Sequence, residues 1–156
     1  MLKCRFAEKD DVDLYFGWAN DESTRNNSYN KENISYESHV EWFLRKVQSE
    51  QSSMYVYMTE DGSPVGQVRI DKDSVAGGNN AIIGISVDAM NRGKGYSTQM
   101  LEMASGDFLR RNPGFHITAY IFVTNHASYK SFLKAGYKLV EEKNINNIPS
   151  YILERR

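Results

Sequence analysis

The chain has a single cysteine, Cys4. An internal disulfide and a metal cluster built from cysteines are therefore both excluded. Standing in a short alternating run, Cys4 is expected to be a small core residue. No apolar run comes near the roughly 20 residues that span a bilayer. Nothing around "MLKCRFAEKDD" has the apolar stretch of a signal peptide. A cytoplasmic protein with no membrane contact is expected. Charge of one sign is also lacking: 19 Lys and Arg against 20 Asp and Glu give a formal net charge of -1. Nucleic-acid binding calls for a basic face that displaces counterions. The local clusters Arg92 to Lys94, Arg110-Arg111 and Arg155-Arg156 are too small to make one, so no nucleic-acid partner is expected. Linkers rich in Pro or Ser, internal repeats and low-complexity tracts are absent as well. Residues 1–156 are therefore expected to form a single domain, long enough for one real core.

What is present alternates between two periodicities. "LKCRFA" alternates as a first strand. Val12, Tyr15, Phe16 and Ala19 predict a helix over Asp10 to Asn20. Residues 20–33 are polar and expected to be irregular. Ser35 is a candidate N-cap for a second helix with the stripe Val40, Phe43, Leu44 and Val47. Two alternating runs flank Asp61-Gly62-Ser63-Pro64 and predict a hairpin. A turn at 77–80 precedes "AIIGISV" (81–87), apolar enough to be a central strand. A helix over Ser97 to Arg111 presents Met100, Leu101, Ala104 and Phe108 and stops at Asn112-Pro113-Gly114. "HITAYIFV" gives another strand, and a helix from Asn125 to Ala135 is closed by Gly136. "YKLVEE" and "SYILER" pair across an Asn-rich loop, 144–149. The order β-αα-βββ-α-β-α-ββ predicts an α+β fold layered α/β/α: a mixed central sheet of about seven strands with helices on both faces.

"VDAMNRGKGYSTQML" (87–101) places a basic glycine turn between the central strand and a helix. Three phosphate cradles compete for it. A Walker loop requires Ser or Thr after its lysine, but Lys94 is followed by Gly95. A G-x-G-x-x-G fingerprint finds Gly93 and Gly95, then Thr98 in place of the third glycine. The pattern R-x-x-G-x-small fits Arg92, Gly95 and Ser97. In such a turn successive backbone N–H groups converge on an anion, with the positive end of the helix behind them. A plain surface turn that starts a helix is the alternative.

Thirty-three residues after Arg92 comes Asn125-x-x-Ser128-x-x-x-Phe132-x-x-x-Gly136-Tyr137. Together the two segments resemble the Gcn5-related N-acetyltransferase (GNAT) superfamily, and element order and length extend the resemblance over the whole chain. The resemblance implies acetyl-CoA as acetyl donor, with no metal. It assigns Arg92, Gly93, Lys94, Gly95, Tyr96 and Ser97 to the pyrophosphate of coenzyme A. It assigns the backbone of Ile85, Ser86 and Val87 to the pantetheine amides, and Asn125 to the pantetheine arm. Asn125 also suits a helix N-cap. Two positions depart from the family pattern. Phe132 stands where a tyrosine acid is common, and Ile82 where a glutamate base is common. Acetyl transfer depends first on positioning, with a base for the amine and an acid for the thiolate as aids. Tyr129 and Ser86 are the candidates for those roles, against a reading of both as packing residues. A non-catalytic acyl-CoA-binding module is the alternative that the missing acid and base would suit.

The acceptor side of this superfamily is built from its first two helices and the loop between them. Here Trp18-x-Asn20-Asp21-x-x-x-Arg25-x-x-Ser28, then Ile34-Ser35-x-x-x-His39-x-x-Trp42-Phe43, resembles the bacterial branch that acetylates nucleotide-linked amino sugars, of the pseudaminic-acid pathway type. That branch shades into enzymes acting on ribosomal-protein N-termini, which is the alternative acceptor. Arg25 offers a fork for a phosphate or a hydroxyl array. Trp42 could stack on a ring and His39 could relay a proton, and both equally suit a hydrophobic helix face. The expected partner is a small-molecule amine, nucleotide-linked in the first reading, bound by a monomer or a homodimer.

Overall fold

The computed structural model describes residues 1–73 and 78–156. Part of the turn expected at 77–80, Gly77, lies outside the described residues. The elements are β1 (Lys3–Phe6), α1 (Val12–Ala19), α2 (Glu22–Asn26), α3 (Tyr36–Val47), β2 (Ser52–Met58), β3 (Pro64–Lys72), β4 (Asn80–Val87), α4 (Tyr96–Arg111), β5 (His116–Phe122), α5 (His126–Lys134), β6 (Lys138–Ile145) and β7 (Ile148–Arg155). Short 3-10 turns precede α1 and follow β4.

The strands form one seven-stranded mixed sheet in the order β1-β2-β3-β4-β5-β7-β6. β4 is its middle strand, as its unbroken apolar run predicts. Pleating sends alternate side chains to opposite faces. Ala81, Ile83, Ile85 and Val87 join Met100, Leu101, Ala104 and Phe108 of α4 in the larger core, with Tyr55, Tyr57, Val68 and Ile70 of β2 and β3. The other face of β2, Met54 and Val56, packs with Tyr15, Trp18 and Phe43 under α1 and α3. Helices on both faces give the α/β/α layering.

One register decides what the sheet can do. β3 and β4 pair along seven positions, from Lys72↔Ala81 to Gly66↔Val87. β5 and β7 pair along six, from Ile117↔Arg155 to Phe122↔Ser150. Between these two ladders, β4 and β5 run parallel and pair only at Asn80↔His116, Ala81↔Ile117 and Ile82↔Thr118. Beyond Ile82 and Thr118 the central strands part, leaving a wedge whose edges are Ile83–Val87 and Ala119–Phe122.

Several details differ from the sequence reading. Cys4 is exposed on the edge strand β1, not buried. Trp18, outside the expected stripe of α1, is buried there with Tyr15, while Phe16 turns to Tyr36 and His39. The buried line of α3 runs through His39 and Phe43. The "irregular" stretch contains α2, started by Asp21, whose carboxylate accepts from the Thr24 backbone. The expected loop 144–149 shrinks to a two-residue turn. Asn146 and Asn147 have φ of 50° and 65°, the conformation of a tight hairpin turn, which asparagine tolerates better than most residues.

Candidate active site

The glycine turn lies at the wide end of the wedge. Gly93 and Gly95 have φ of +76° and +79°. A Cβ at either would meet only open space, so it is backbone conformation, not crowding, that calls for glycine here. Gly95 is the N-cap of α4 and offers no side-chain cap, and the first turn of α4 carries no acidic residue. The first N–H groups of a helix have no intrahelical acceptor, so this end presents donors and the positive pole of a sixteen-residue helix beside the parted strands. The Ser97 hydroxyl is hydrogen-bonded to Ser131 Oγ at 2.7 Å, joining α4 to α5. Arg92 is engaged elsewhere: its Nη2 donates to Asp21 Oδ2 at 2.6 Å.

Around the wedge the sequence-predicted residues separate onto two faces. Ile85 and Val87 point to the α4 face, where Tyr96 and Tyr129 pack against the same core. Tyr129 stacks on Tyr151 with ring centroids 4.3 Å apart. Phe132 is buried edge-on to Tyr137. Asn125 is the N-cap of α5, its Oδ1 accepting from the Ser128 backbone at 3.3 Å. Ser86 points to the opposite face, in register with Gln67. Gln67 carried no motif in the sequence. Only the register, which sets it beside Ser86, brings it to the site.

Residues 20–34, the segment expected on the acceptor side, lie across that second face. Asp21 ties the start of α2 to the glycine turn through Arg92. Further along, the Tyr29 hydroxyl is 2.7 Å from Ser150 Oγ of β7, and its ring meets Phe122 of β5 edge-on at 4.9 Å. Lys31 lies over the same Phe122 ring. The segment is thus anchored on both sides of the wedge, to the turn after β4 and to β5 and β7.

Arg25 organises this segment from within. Its Nη1 donates to the carbonyls of Asn30 and Glu32 at 2.9 and 3.3 Å, and its Nη2 to Ser28 Oγ at 3.4 Å. Its Nε is buried with no acceptor among the described residues. His39 lies in the α1–α3 core, 2% exposed, with Nε2 2.9 Å from the Val12 carbonyl. A carbonyl only accepts, so Nε2 carries the proton. Burial holds the imidazole below its ordinary pKa, against the opposing pull of the Val12 carbonyl and Asp13. Trp42 lies half-buried beside it and carries the Arg69 guanidinium 4.9 Å from its ring centroid. His39 is therefore closed inside the α1–α3 core and Trp42 is covered by Arg69, so neither stands on a free helix face. Tyr120, on the wedge face of β5, is 39% exposed. Burial, then Asp73, Tyr29 and Glu154, push its hydroxyl pKa up.

Two surface cavities of about 380 and 510 Å³ open by the β1 edge, around Phe6 and Arg111 and around Cys4 and Asp107. Both are remote from the wedge. Among the described residues no group of His, Cys, Asp and Glu could hold a metal ion, and no helix is long and apolar enough to cross a membrane.

Residues 2–138 match the family model described as the acetyltransferase (GNAT) domain. No curated protein sequence matches the chain. The fold is similar to that of spermidine N-acetyltransferase from Vibrio cholerae in complex with CoA and spermine, at 13% identity and a TM-score of 0.86, covering 99% of this chain and 94% of the other. An N-acetyltransferase from Staphylococcus aureus Mu50 is similar at 22% identity and 0.82, covering 99% and 98%. An aminoglycoside acetyltransferase in complex with coenzyme A and kanamycin is similar at 17% identity and 0.80, covering 99% and 94%.

Proposed function

The chain belongs to the GNAT acetyltransferase family and is an acetyl-CoA-dependent N-acetyltransferase, and from that premise we propose that it acetylates the primary amine of a nucleotide-linked amino sugar, as a cytoplasmic enzyme whose residues 1–156 form one catalytic domain. The observation that carries the acetyl-CoA side of the reading is the parting of β4 from β5 next to the uncapped start of α4. The edge of β4 beyond Ile82 has backbone groups that β5 no longer pairs, and the glycine turn adds converging N–H donors at its end. A pantetheine arm fits the first and a pyrophosphate the second.

Acetyl-CoA supplies the acetyl group when bound. The roles of the chain's own residues are those the resemblance implies, and their places support them. Ile85 to Val87 offer backbone hydrogen bonds along the wedge. Arg92 to Ser97 hold the pyrophosphate through backbone N–H groups, with Lys94 as an exposed counter-charge. Asn125 caps α5 and leaves its side-chain amide N–H₂ for the pantetheine arm. Because Phe132 and Ile82 carry no proton, the chain contributes chiefly by orientation. Ser86 and Tyr129 flank the wedge from opposite faces, Ser86 toward the acceptor and Tyr129 toward the donor.

The amino-sugar reading rests on the polar acceptor segment, residues 20–34, and on its resemblance in sequence. Arg25 serves it by shaping the segment, while His39 and Trp42 hold α1 and α3 together beside it. A second acceptor class, a cationic polyamine, is favoured by the Asp73 and Glu154 carboxylates near Tyr120, Glu154 also pairing with Arg156 and His116. The spermine-bound relative is of that class.

The test is thiol release from acetyl-CoA with a UDP-linked amino sugar, spermidine, kanamycin and an N-terminal peptide as acceptors. Turnover with the UDP-linked amino sugar at the highest kcat/KM is expected. Preference for spermidine would move the assignment to the polyamine reading. Coenzyme A binding by calorimetry with no turnover on any amine would refute the proposed acceptor chemistry.

A further inference from the structure

Gln67 and Ser86 form a buried neutral pair on the acceptor-side face of the sheet. They are register partners on β3 and β4, 8% and 9% exposed, and Gln67 Nε2 donates to Ser86 Oγ at 3.3 Å. The other half of the amide, Oε1, is buried with no donor among the described residues. Buried carbonyl groups are nearly always paired, so one left over asks for a reason. Its location supplies one. Ser86 belongs to the part of β4 that β5 has left, so the pair borders the wedge, between the anchors that Asp21 and Tyr29 make on either side of it. Gln67 Oε1 has lone pairs to offer, and Ser86 Oγ retains one after accepting from Nε2. The two oxygens suit a group with several N–H bonds.

Resting on the acetyl-transfer reading above, we propose that Gln67 Oε1 and Ser86 Oγ seat the acceptor's primary amino group, each accepting one of its N–H bonds. Both oxygens are neutral, and a buried neutral seat favours the uncharged amine over the ammonium ion, where a carboxylate would do the reverse. The seat thereby supplies part of what is missing at Ile82. The ammonium ion gives one proton to water as it is desolvated, and the nitrogen keeps its lone pair. The N–C bond forms as the C–S bond breaks, and the proton then lost by nitrogen reaches the departing thiolate through water.

The test compares wild type, Gln67→Met and Gln67→Glu in thiol release with a UDP-linked amino sugar, spermidine and kanamycin, over about pH 6 to 10. Calorimetry with coenzyme A checks that each variant remains folded and keeps its donor site. Gln67→Met, similar in length and without the carbonyl, is expected to raise the acceptor KM about tenfold while coenzyme A affinity stays within about twofold. Gln67→Glu is expected to lower the acceptor KM and to move the rising limb of kcat to higher pH by about one unit, because its carboxylate stabilises the ammonium form. Unchanged acceptor KM and pH profile in both variants, with an active wild type, would overturn the seat and leave the acetyl-transfer reading standing. A wild type inactive on all three amines overturns the seat together with the proposed acceptor chemistry.

Discussion

Arg92 of the glycine turn and Asp21 of the acceptor segment, 71 residues apart, are joined by an ion pair of 2.6 Å. The residue expected to serve the pyrophosphate thus also tethers the segment that the resemblance assigns to the acceptor. Burial pushes the Asp21 carboxyl up, but hydrogen bonds from Arg92 and from the Thr24 backbone outweigh it and hold the group below the usual carboxylate range. A depressed carboxylate contributes its stability above its unfolded pKa of about 3.9. That contribution is lost as pH falls through the folded value, so the tether is intact throughout the neutral range.

Replacing Asp21 with Asn should therefore act on function more than on stability. The pair is partly exposed, and such pairs contribute about 0.2–1 kcal/mol. The expected outcome is an acceptor KM raised by up to about fivefold with little change in melting temperature. Coenzyme A affinity should be retained, because Arg92 keeps its charge. Steady-state kinetics beside calorimetry would show whether the loss falls on acceptor or donor.

Gly95→Val puts a β-branched side chain at φ +79°. The strain is on the order of 1–3 kcal/mol, and the turn should relieve it by rotating its N–H groups away from their common focus. Coenzyme A affinity should fall at least about tenfold while circular dichroism stays native. Undiminished affinity would remove the turn from the donor site.

Gly66→Ala tests packing between β3, β4 and α4. A Cβ there would collide with the Ser86 carbonyl and lie 2.9 Å from Met100 Cε. Overpacking of this kind costs about 1–3 kcal/mol, so a thermal melt should show a clearly lowered midpoint. Because the colliding backbone is that of Ser86, kcat should fall along with stability.

His39 sets a pH dependence of stability. Its folded pKa is depressed, chiefly by burial. The neutral ring contributes fully above the unfolded value of about 6.5. Below that, the unfolded state binds the extra proton and the contribution is lost as pH falls through the folded value. The melting temperature should drop between about pH 7 and pH 5. In His39→Gln that drop should flatten, with a lower plateau near neutrality from disturbed packing around the Val12 carbonyl. An equally steep dependence in the variant would place the titrating group elsewhere.

Local chemistry was legible along the chain. Ser35 and Asn125 cap the helices they were expected to cap, because capping depends only on a side-chain oxygen three residues from an N–H. The glycine turn was legible for the same reason: positive φ and the absence of Cβ are local demands. Phe43, Leu44 and Val47 of the expected α3 stripe pack in the core, but His39 was missed because hydrophobicity alone ranks it as polar, whereas the Val12 carbonyl on another helix accepts its N–H and lets it be buried. Arg25 looked like a free fork in the sequence, yet the loop folds its own carbonyls onto it.

The α+β order of elements, the central place of β4, the glycine turn and the Asn125 cap were all readable along the chain, since periodicity, caps and turn glycines act over a few residues. Where β4 and β5 part, that Arg92 reaches Asp21, and that Gln67 stands beside Ser86 emerge from the folded chain alone. Those relations join residues 19 to 71 positions apart. They depend on strand register and on how a loop closes over the sheet, which no short stretch of residues encodes alone.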